Sequence, residues 1–319
     1  MSAIDRRKFL QAAGVAAAGL AAQVGAQASE LAAPQATEKG GAQVTRQEHP
    51  EGGKEARLLV GCCAISYSKY LKGGQMTMED FIRKGVELRL DGVDMTVYFL
   101  KSTEPAYLAN LRHLAFKNGL GFSGAACGSS MVQADKQERA QVLADIKKWT
   151  DVTDQLGASH LRVFAGKLPA GATTEQGANW CVEVMKEASD YSGKRGITLG
   201  IEPHGGITQR ADTLLEIIHR VDSPYAGINL DITHFIPTPE QSGYAQIEAC
   251  IPYATQTHIR YRFDSGELID LDRVWQMFAK GGYKGYMSAE YENEKEDAIT
   301  GVPRLIGDMR KLCRKYSSV

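Results

Sequence analysis

Four stretches of the chain end a short apolar run in a group that can do chemistry: Leu199-Gly-Ile-Glu202-Pro-His204, Asn229-Leu-Asp231-Ile-Thr-His234, Thr257-His258-Ile-Arg260 and Ser288-Ala-Glu290-Tyr291. Glu202, Asp231, His258 and Glu290 are separated by roughly 30 residues each, the length of one strand-helix unit. Taken singly, each has a bland explanation. A carboxylate after a strand is commonly a helix N-cap or a solvated loop group, and a lone histidine is commonly a satisfied structural group. In one register they form a set. Three carboxylates and an imidazole would repel one another unless a cation neutralised them. The donors suit one divalent ion of intermediate hardness, Mn²⁺ first, with Mg²⁺, Co²⁺ and Zn²⁺ as alternatives.

The elements that must position these groups are legible in the same stretches. A continuous apolar run reads as a strand covered on both faces, and Pro203 and Gly205 stop the one that carries Glu202. Strand-like and helix-like patterns alternate through the chain from residue 58 onward. The strand patterns are 58–65, 91–97, 121–127, 160–165, 198–202, 226–231, 255–260 and 285–290, with a looser segment at 243–250 before the seventh. Between them, Ala140, Leu143, Ile146, Trp149, Thr153 and Leu156 share one helical face, as do Ala178, Cys181, Val182, Met185 and Ala188. Eight such units in about 260 residues predict an α/β fold, a single-domain (β/α)8 TIM barrel. A doubly wound sheet would carry a glycine-rich phosphate turn after an early strand. The small residues Gly124-Ala-Ala-Cys127-Gly-Ser-Ser130 lack that spacing and read as close packing and a loop.

The segment before the barrel has a different character. Asp5-Arg6-Arg7-Lys8-Phe9-Leu10 precedes an alanine-rich run, and Ala26-Gln27-Ala28 offers small residues for cleavage, so residues 1–28 read as a twin-arginine signal peptide. The run is too short and too rich in Ala and Gly to span the ~20 residues a bilayer needs, so no stable membrane anchor is expected. Residues 29–57 read as a flexible linker of Gln, Ala, Gly, Glu and Pro, and 58–319 as the barrel. Cleavage removes a net +2 and takes the formal charge from −1 to −3. A faintly acidic protein has no general attraction for nucleic acid or anionic lipid. The expected partners are the twin-arginine export machinery and a small molecule, and the expected location is periplasmic or otherwise extracytoplasmic. The six cysteines lie scattered in apolar contexts without paired spacing and read as buried free thiols, with Cys62 and Cys63 on opposite faces of one strand.

The series Ile-Glu202-Pro-His204, Leu-Asp231-Ile-Thr-His234, His258-Ile-Arg260 and Ala-Glu290 resembles the xylose isomerase-like TIM-barrel superfamily, in particular its sugar (phosphate) isomerase and epimerase branch. The resemblance spans residues 58–316. It implies that Glu202, Asp231, His258 and Glu290 bind one divalent metal, and that Glu202 and Glu290 double as acid and base on opposite faces of a substrate. His234 of the Asp-x-x-His pattern becomes a contact to substrate or to metal-bound water. His204 either orients the substrate or holds Glu202. Arg260 is assigned to the substrate, although the family often has His-x-Lys-Asp where this chain has His258-Ile-Arg260-Tyr261.

The reaction so implied has simple physics. A proton beside a carbonyl is removed only when the enediolate oxygen is stabilised, and a metal spanning the carbonyl and neighbouring hydroxyl contributes several kcal/mol of that stabilisation. Return of the proton to the opposite face gives epimerisation, and return to the next carbon gives aldose-ketose isomerisation. Expulsion of a neighbouring leaving group gives β-elimination. Export places the protein where free sugars and glycosides outnumber sugar phosphates, so the expectation is an isomerase or epimerase of an unphosphorylated (keto-)sugar. The alternative is a 3-keto-glycoside β-elimination lyase using the same site. An endonuclease IV-like phosphodiesterase would need further histidines, and the chain has only His113 and His160 on earlier units, and Asp264 is followed by Ser265-Gly266. A non-catalytic sugar-binding barrel would need no paired bases.

Overall fold

The computed structural model describes residues 55–292 and 295–318, so the expected signal peptide and all of the expected linker up to residue 54 lie outside the described residues. Among the described residues eight parallel strands close into a barrel in sequence order. They are β1 Arg57–Cys63, β2 Gly92–Thr96, β3 Gly121–Ala126, β4 His160–Phe164, β5 Thr198–Glu202, β6 Ala226–Asp231, β7 Ala254–Ile259 and β8 Lys284–Ala289. β1 pairs with β8 from Arg57↔Lys284 to Cys62↔Ala289, which shuts the ring. The first strand therefore starts at Arg57, at the edge of the expected linker, and Ala56 before it is already buried.

The helices pack outside. α1 Ser68–Lys72, α2 Met78–Glu87, α3 Pro105–Lys117, α4 Lys136–Leu156 and α5 Thr174–Gly193 serve the first half. α6 Ala211–Val221, α7 Gly243–Cys250, α8 Leu271–Gly281 and α9 Ala298–Tyr316 serve the second. Their ends follow from local chemistry. Thr77 with Asp80 and Thr173 with Gln176 form reciprocal capping boxes on α2 and α5, while Gly157 and Gly282 close α4 and α8 in the left-handed conformation. The looser segment expected at 243–250 is the helix α7, started by Ser242 accepting from the backbone N–H of Ala245. With tyrosine, glutamine and glutamate among its eight residues, its apolar period is too short to declare itself in sequence.

The core divides into two parts of opposite character. Outward strand residues such as Val93, Met95, Leu161, Val163, Leu199, Ile201 and Ile259 are fully buried against the helices. The inward residues alternate with them and are small or polar: Gly61, Asp94, Gly124, His160, Arg162, Gly200, Asn229, Gln256, His258 and Ser288. Barrels of this type are more often filled by branched apolar side chains. Gly200 explains part of the pattern, because a Cβ there would run into the His160 ring and the backbone of Asn229.

Candidate active site at the carboxyl ends of the strands

The strand ends and the loops leaving them bring all seven residues singled out in the sequence into one cluster, six of them buried and His204 exposed at its mouth. β5 ends on Glu202, β6 on Asp231, His258 is the penultimate residue of β7, and Arg260 and Glu290 follow β7 and β8 directly. The register supports this, since Asp231 pairs with His258 and Ile259 with Ala289. After β5 the chain turns through Gly205 and Gly206, both at positive φ. The left-handed backbone favours glycine at both, and a side chain on Gly206 would also strike the backbone of Gly166 in the neighbouring loop.

His258 lies at the centre. Its Nδ1 is 2.8 Å from Oε2 of Glu290 and 3.2 Å from Oε2 of Glu202, and its Nε2 faces Oδ2 of Asp94 at 3.6 Å. Asn229 donates its amide to Oε2 of Glu202 at 3.0 Å. Asp231 is fixed by Thr233, whose backbone N–H and hydroxyl both donate to Oδ1, at 2.8 and 2.5 Å. Its Oδ2 receives Nη2 of Arg260 at 3.2 Å, and the same Nη2 donates to Oε1 of Glu290 at 2.6 Å. Glu292 closes on Arg260 from the rim at 3.2 Å.

His204 and His234 form the mouth. Nδ1 of His204 is 3.0 Å from Nε2 of His234 and 3.4 Å from Oε1 of Glu202, while Nδ1 of His234 donates to Oδ2 of Asp264 at 2.6 Å. The His204 side chain is 46% exposed against 2% for Glu202, so the imidazole stands between solvent and the carboxylate.

Burial of these acids would raise their pKa values, yet opposite charge wins at each. Glu202 is held well below the carboxylate range by Arg162 and His258, Asp231 by His234 and Arg260, and Glu290 by His258 and Arg260. His234 is buried too, and Asp231 with Asp264 nonetheless lifts it to about 10. His258 is raised well above its ordinary value against its own burial, chiefly by Glu290. Glu292 goes the other way: burial and the nearby Glu290 raise it.

Several participants were not singled out in the sequence. Arg162 on β4 lies 3.3 Å from Oε2 of Glu202, is 3% exposed, and stacks over Phe164 at 4.0 Å from the ring centroid. Asp94 on β2 is fully buried and neither of its oxygens has a hydrogen-bond partner among the described residues. Both sit at alternate positions of otherwise apolar strands, and that period-two placement was the available signal. Of the aromatic groups near strand ends, Phe164 packs on His204 at 4.7 Å between centroids, and Tyr98 is 51% exposed near the mouth. Tyr67 and Tyr291 are core residues at 1% and 5% exposure. His113 stays on α3, and His160 turns into the barrel to meet the Thr255 hydroxyl at 3.1 Å.

Glu202, Asp231 and His258 each offer a ligand atom within 4.8 Å of the others. The donor chemistry fits a divalent cation: three ionised carboxylates surround an imidazole whose Nδ1 points at two of them. The model of the xylose isomerase-like TIM barrel family matches residues 83–314. The chain belongs to that family. Among solved structures, this family member is similar to D-psicose 3-epimerase with D-tagatose from Clostridium cellulolyticum H10, at 15% identity over 82% of this chain and 100% of that one, with a TM-score of 0.66. It is also similar to 3-keto-D-glucoside 4-epimerase YcjR from E. coli, at 14% identity over 81% and 100% with a TM-score of 0.63. A third is the IolI protein with a bound zinc atom, at 15% identity over 82% and 100% with a TM-score of 0.65. At such identities the likeness is one of fold. No curated protein sequence matches the chain.

Proposed function

We propose that this protein is a divalent-metal-dependent sugar isomerase or epimerase that acts on an unphosphorylated (keto-)sugar by moving a proton through an enediolate. The observation that carries the reading is the convergence of two buried, ionised carboxylates, Glu202 and Glu290, on one imidazole nitrogen, at 3.2 and 2.8 Å from Nδ1 of His258. Family membership and the epimerase names among the similar structures support the same chemistry.

Glu202, Asp231, His258 and Glu290 would hold the ion, Mn²⁺ in preference to Mg²⁺, Co²⁺ or Zn²⁺. When bound, it supplies Lewis-acid stabilisation of the negative charge that develops on the substrate oxygens. The chain supplies the rest. One glutamate takes the proton beside the carbonyl, and the other returns a proton to the opposite face or the next carbon. Arg162 and Arg260 keep both glutamates ionised in the free protein, so either can accept, and the one that returns a proton must first take it up from water at the mouth of the site. His234, locked by Asp264, presents a charged N–H beside Asp231, and His204 lines the entry where a sugar hydroxyl would arrive. The same proton abstraction serves elimination when a leaving group adjoins the carbanion, and the 3-keto-glucoside named for one similar structure favours keeping the keto-glycoside lyase as the second reading. Export through the twin-arginine pathway to an extracytoplasmic space remains part of the proposal, since a folded, metal-loaded enzyme is the cargo that pathway accommodates.

The test is incubation of the Mn²⁺-loaded protein with panels of free ketoses, aldoses and 3-keto-glycosides in deuterated water, followed by NMR. Deuterium incorporation with a new sugar supports isomerisation or epimerisation, and a released aglycone selects the lyase. Absence of exchange across all three panels with metal bound would refute proton-transfer chemistry at this site.

A further inference from the structure

Cys63 closes β1 opposite Asp94 of β2, one residue beyond the pairing of Cys62 with Ala289. Alternation along the strands turns Gly61 and Cys63 into the barrel, where Gly61 sits against Ser288, and Glu290 is the next inward position after Ser288. Cys63 and Glu290 are thereby neighbours at the top of the barrel. Sγ of Cys63, a ring nitrogen of His258 and an oxygen of Glu290 all lie within 4.8 Å of one another, and all three residues are buried. A second triplet, Glu202, Asp231 and His258, has the same compactness. The two triplets share His258 and differ in hardness: one is carboxylate-rich, and the other contains a thiol.

We propose that Cys63 is a metal ligand of this centre, supplying a thiolate beside His258 and Glu290 to borderline and soft divalent ions such as Co²⁺, Zn²⁺ or Cd²⁺. The inference rests on reading these strand ends as a metal centre. Binding breaks the S–H bond, forms a sulfur–metal bond and releases the proton to solvent, with no change of oxidation state. Hardness decides which ions use it. A hard ion such as Mn²⁺ gains little from a sulfur ligand. Co²⁺, Zn²⁺ and Cd²⁺ gain more. Cys62 is the internal control: it lies on the other face of the strand, and its thiol donates to the carbonyl of Cys63 at 3.5 Å.

The experiment is titration of the full-length, metal-stripped protein with Co²⁺, read by absorption. The expected result is a visible ligand-field spectrum together with a near-ultraviolet thiolate-to-cobalt charge-transfer band, both saturating at one ion per chain. Cys63→Ser should lose the charge-transfer band while keeping the ligand-field bands, and Cys62→Ser should keep both. The ratio of Zn²⁺ to Mn²⁺ affinity should fall by about tenfold or more in Cys63→Ser, as for loss of a soft ligand. Ligand-field bands without a thiolate band in the wild type would overturn the role of Cys63 and leave the centre standing. Failure to bind Co²⁺ at all would overturn both. Should Cys63→Ser not fold, the wild-type and Cys62→Ser spectra decide: a thiolate band retained in Cys62→Ser supports the assignment, and one lost there overturns it.

Discussion

Nη2 of Arg260 donates to Oε1 of Glu290 at 2.6 Å, so one of the two proposed proton carriers is held in a buried charge-assisted hydrogen bond with its other oxygen turned to His258. Fixing one oxygen leaves the second to meet the substrate or the metal in a defined direction. Arg260→Lys should keep the charge and lose the fork, and Arg260→Met should remove both. The expected outcome is that Arg260→Met raises the Glu290 pKa and moves the acid limb of the kcat/KM profile to higher pH, while Arg260→Lys shifts it less. An acid limb that stays in place in Arg260→Met would show that the guanidinium does not set the ionisation of Glu290.

The two glutamates should fail together and Asp231 differently. At saturating Mn²⁺, Glu202→Gln and Glu290→Gln should each lower solvent-deuterium exchange by about 10²-fold or more, the usual weight of a general base. Asp231→Asn should chiefly weaken metal binding, with exchange largely recovered at high Mn²⁺. Normal exchange in both glutamine variants would sink the two-base scheme.

Asp94 faces Nε2 of His258 across 3.6 Å, and neither oxygen of Asp94 nor Nε2 has a hydrogen-bond partner among the described residues. A carboxylate facing one ring nitrogen holds the ring so that the other, Nδ1, meets Glu202 and Glu290. Asp94→Asn is expected to weaken Mn²⁺ binding about 10- to 100-fold by calorimetry, the range for partners of ligating histidines. Unchanged affinity would reduce Asp94 to a buried bystander.

His234 gives a pH signature in the metal-free protein. Its folded pKa is raised to about 10 against an ordinary value of 6.5, so its stabilising contribution is complete below pH about 6.5 and is lost as pH rises toward 10. The melting temperature in the presence of chelator should therefore decline across that interval, and His234→Gln should flatten the decline. A wild-type curve with the same slope as the variant would contradict the assignment.

The barrel was legible because strand-like and helix-like patterns alternate eight times, and the seven residues at its mouth because each of the last four strands stops at a chemically distinctive group. Arg162 and Asp94 were harder to see. Each is one polar residue among apolar ones, and only the alternation of His160, Arg162 and Phe164, or of Gly92, Asp94 and Thr96, says that the polar side faces inward. For Arg260 the structure adds what its position alone does not say: its Nη2 is engaged by Asp231, Glu290 and Glu292. No local pattern could reveal that, because the partners come from the ends of two other strands, β6 and β8. Helix α7 went unread for the opposite reason, having too few turns to establish a period.

The glycine-lined, polar interior of the barrel has a consequence for engineering. Gly61, Gly124 and Gly200 leave the room that Ser288, Asp94 and His160 occupy beneath the site, and an added Cβ at Gly124 would come within 3.4 Å of Asp94 and 3.3 Å of His160. Filling that bore with valine or leucine, the ordinary route to a more heat-resistant barrel, would evict the struts on which the chemistry stands. Stabilising substitutions belong in the apolar shell between strands and helices, where tolerance to repacking and catalytic geometry are decoupled.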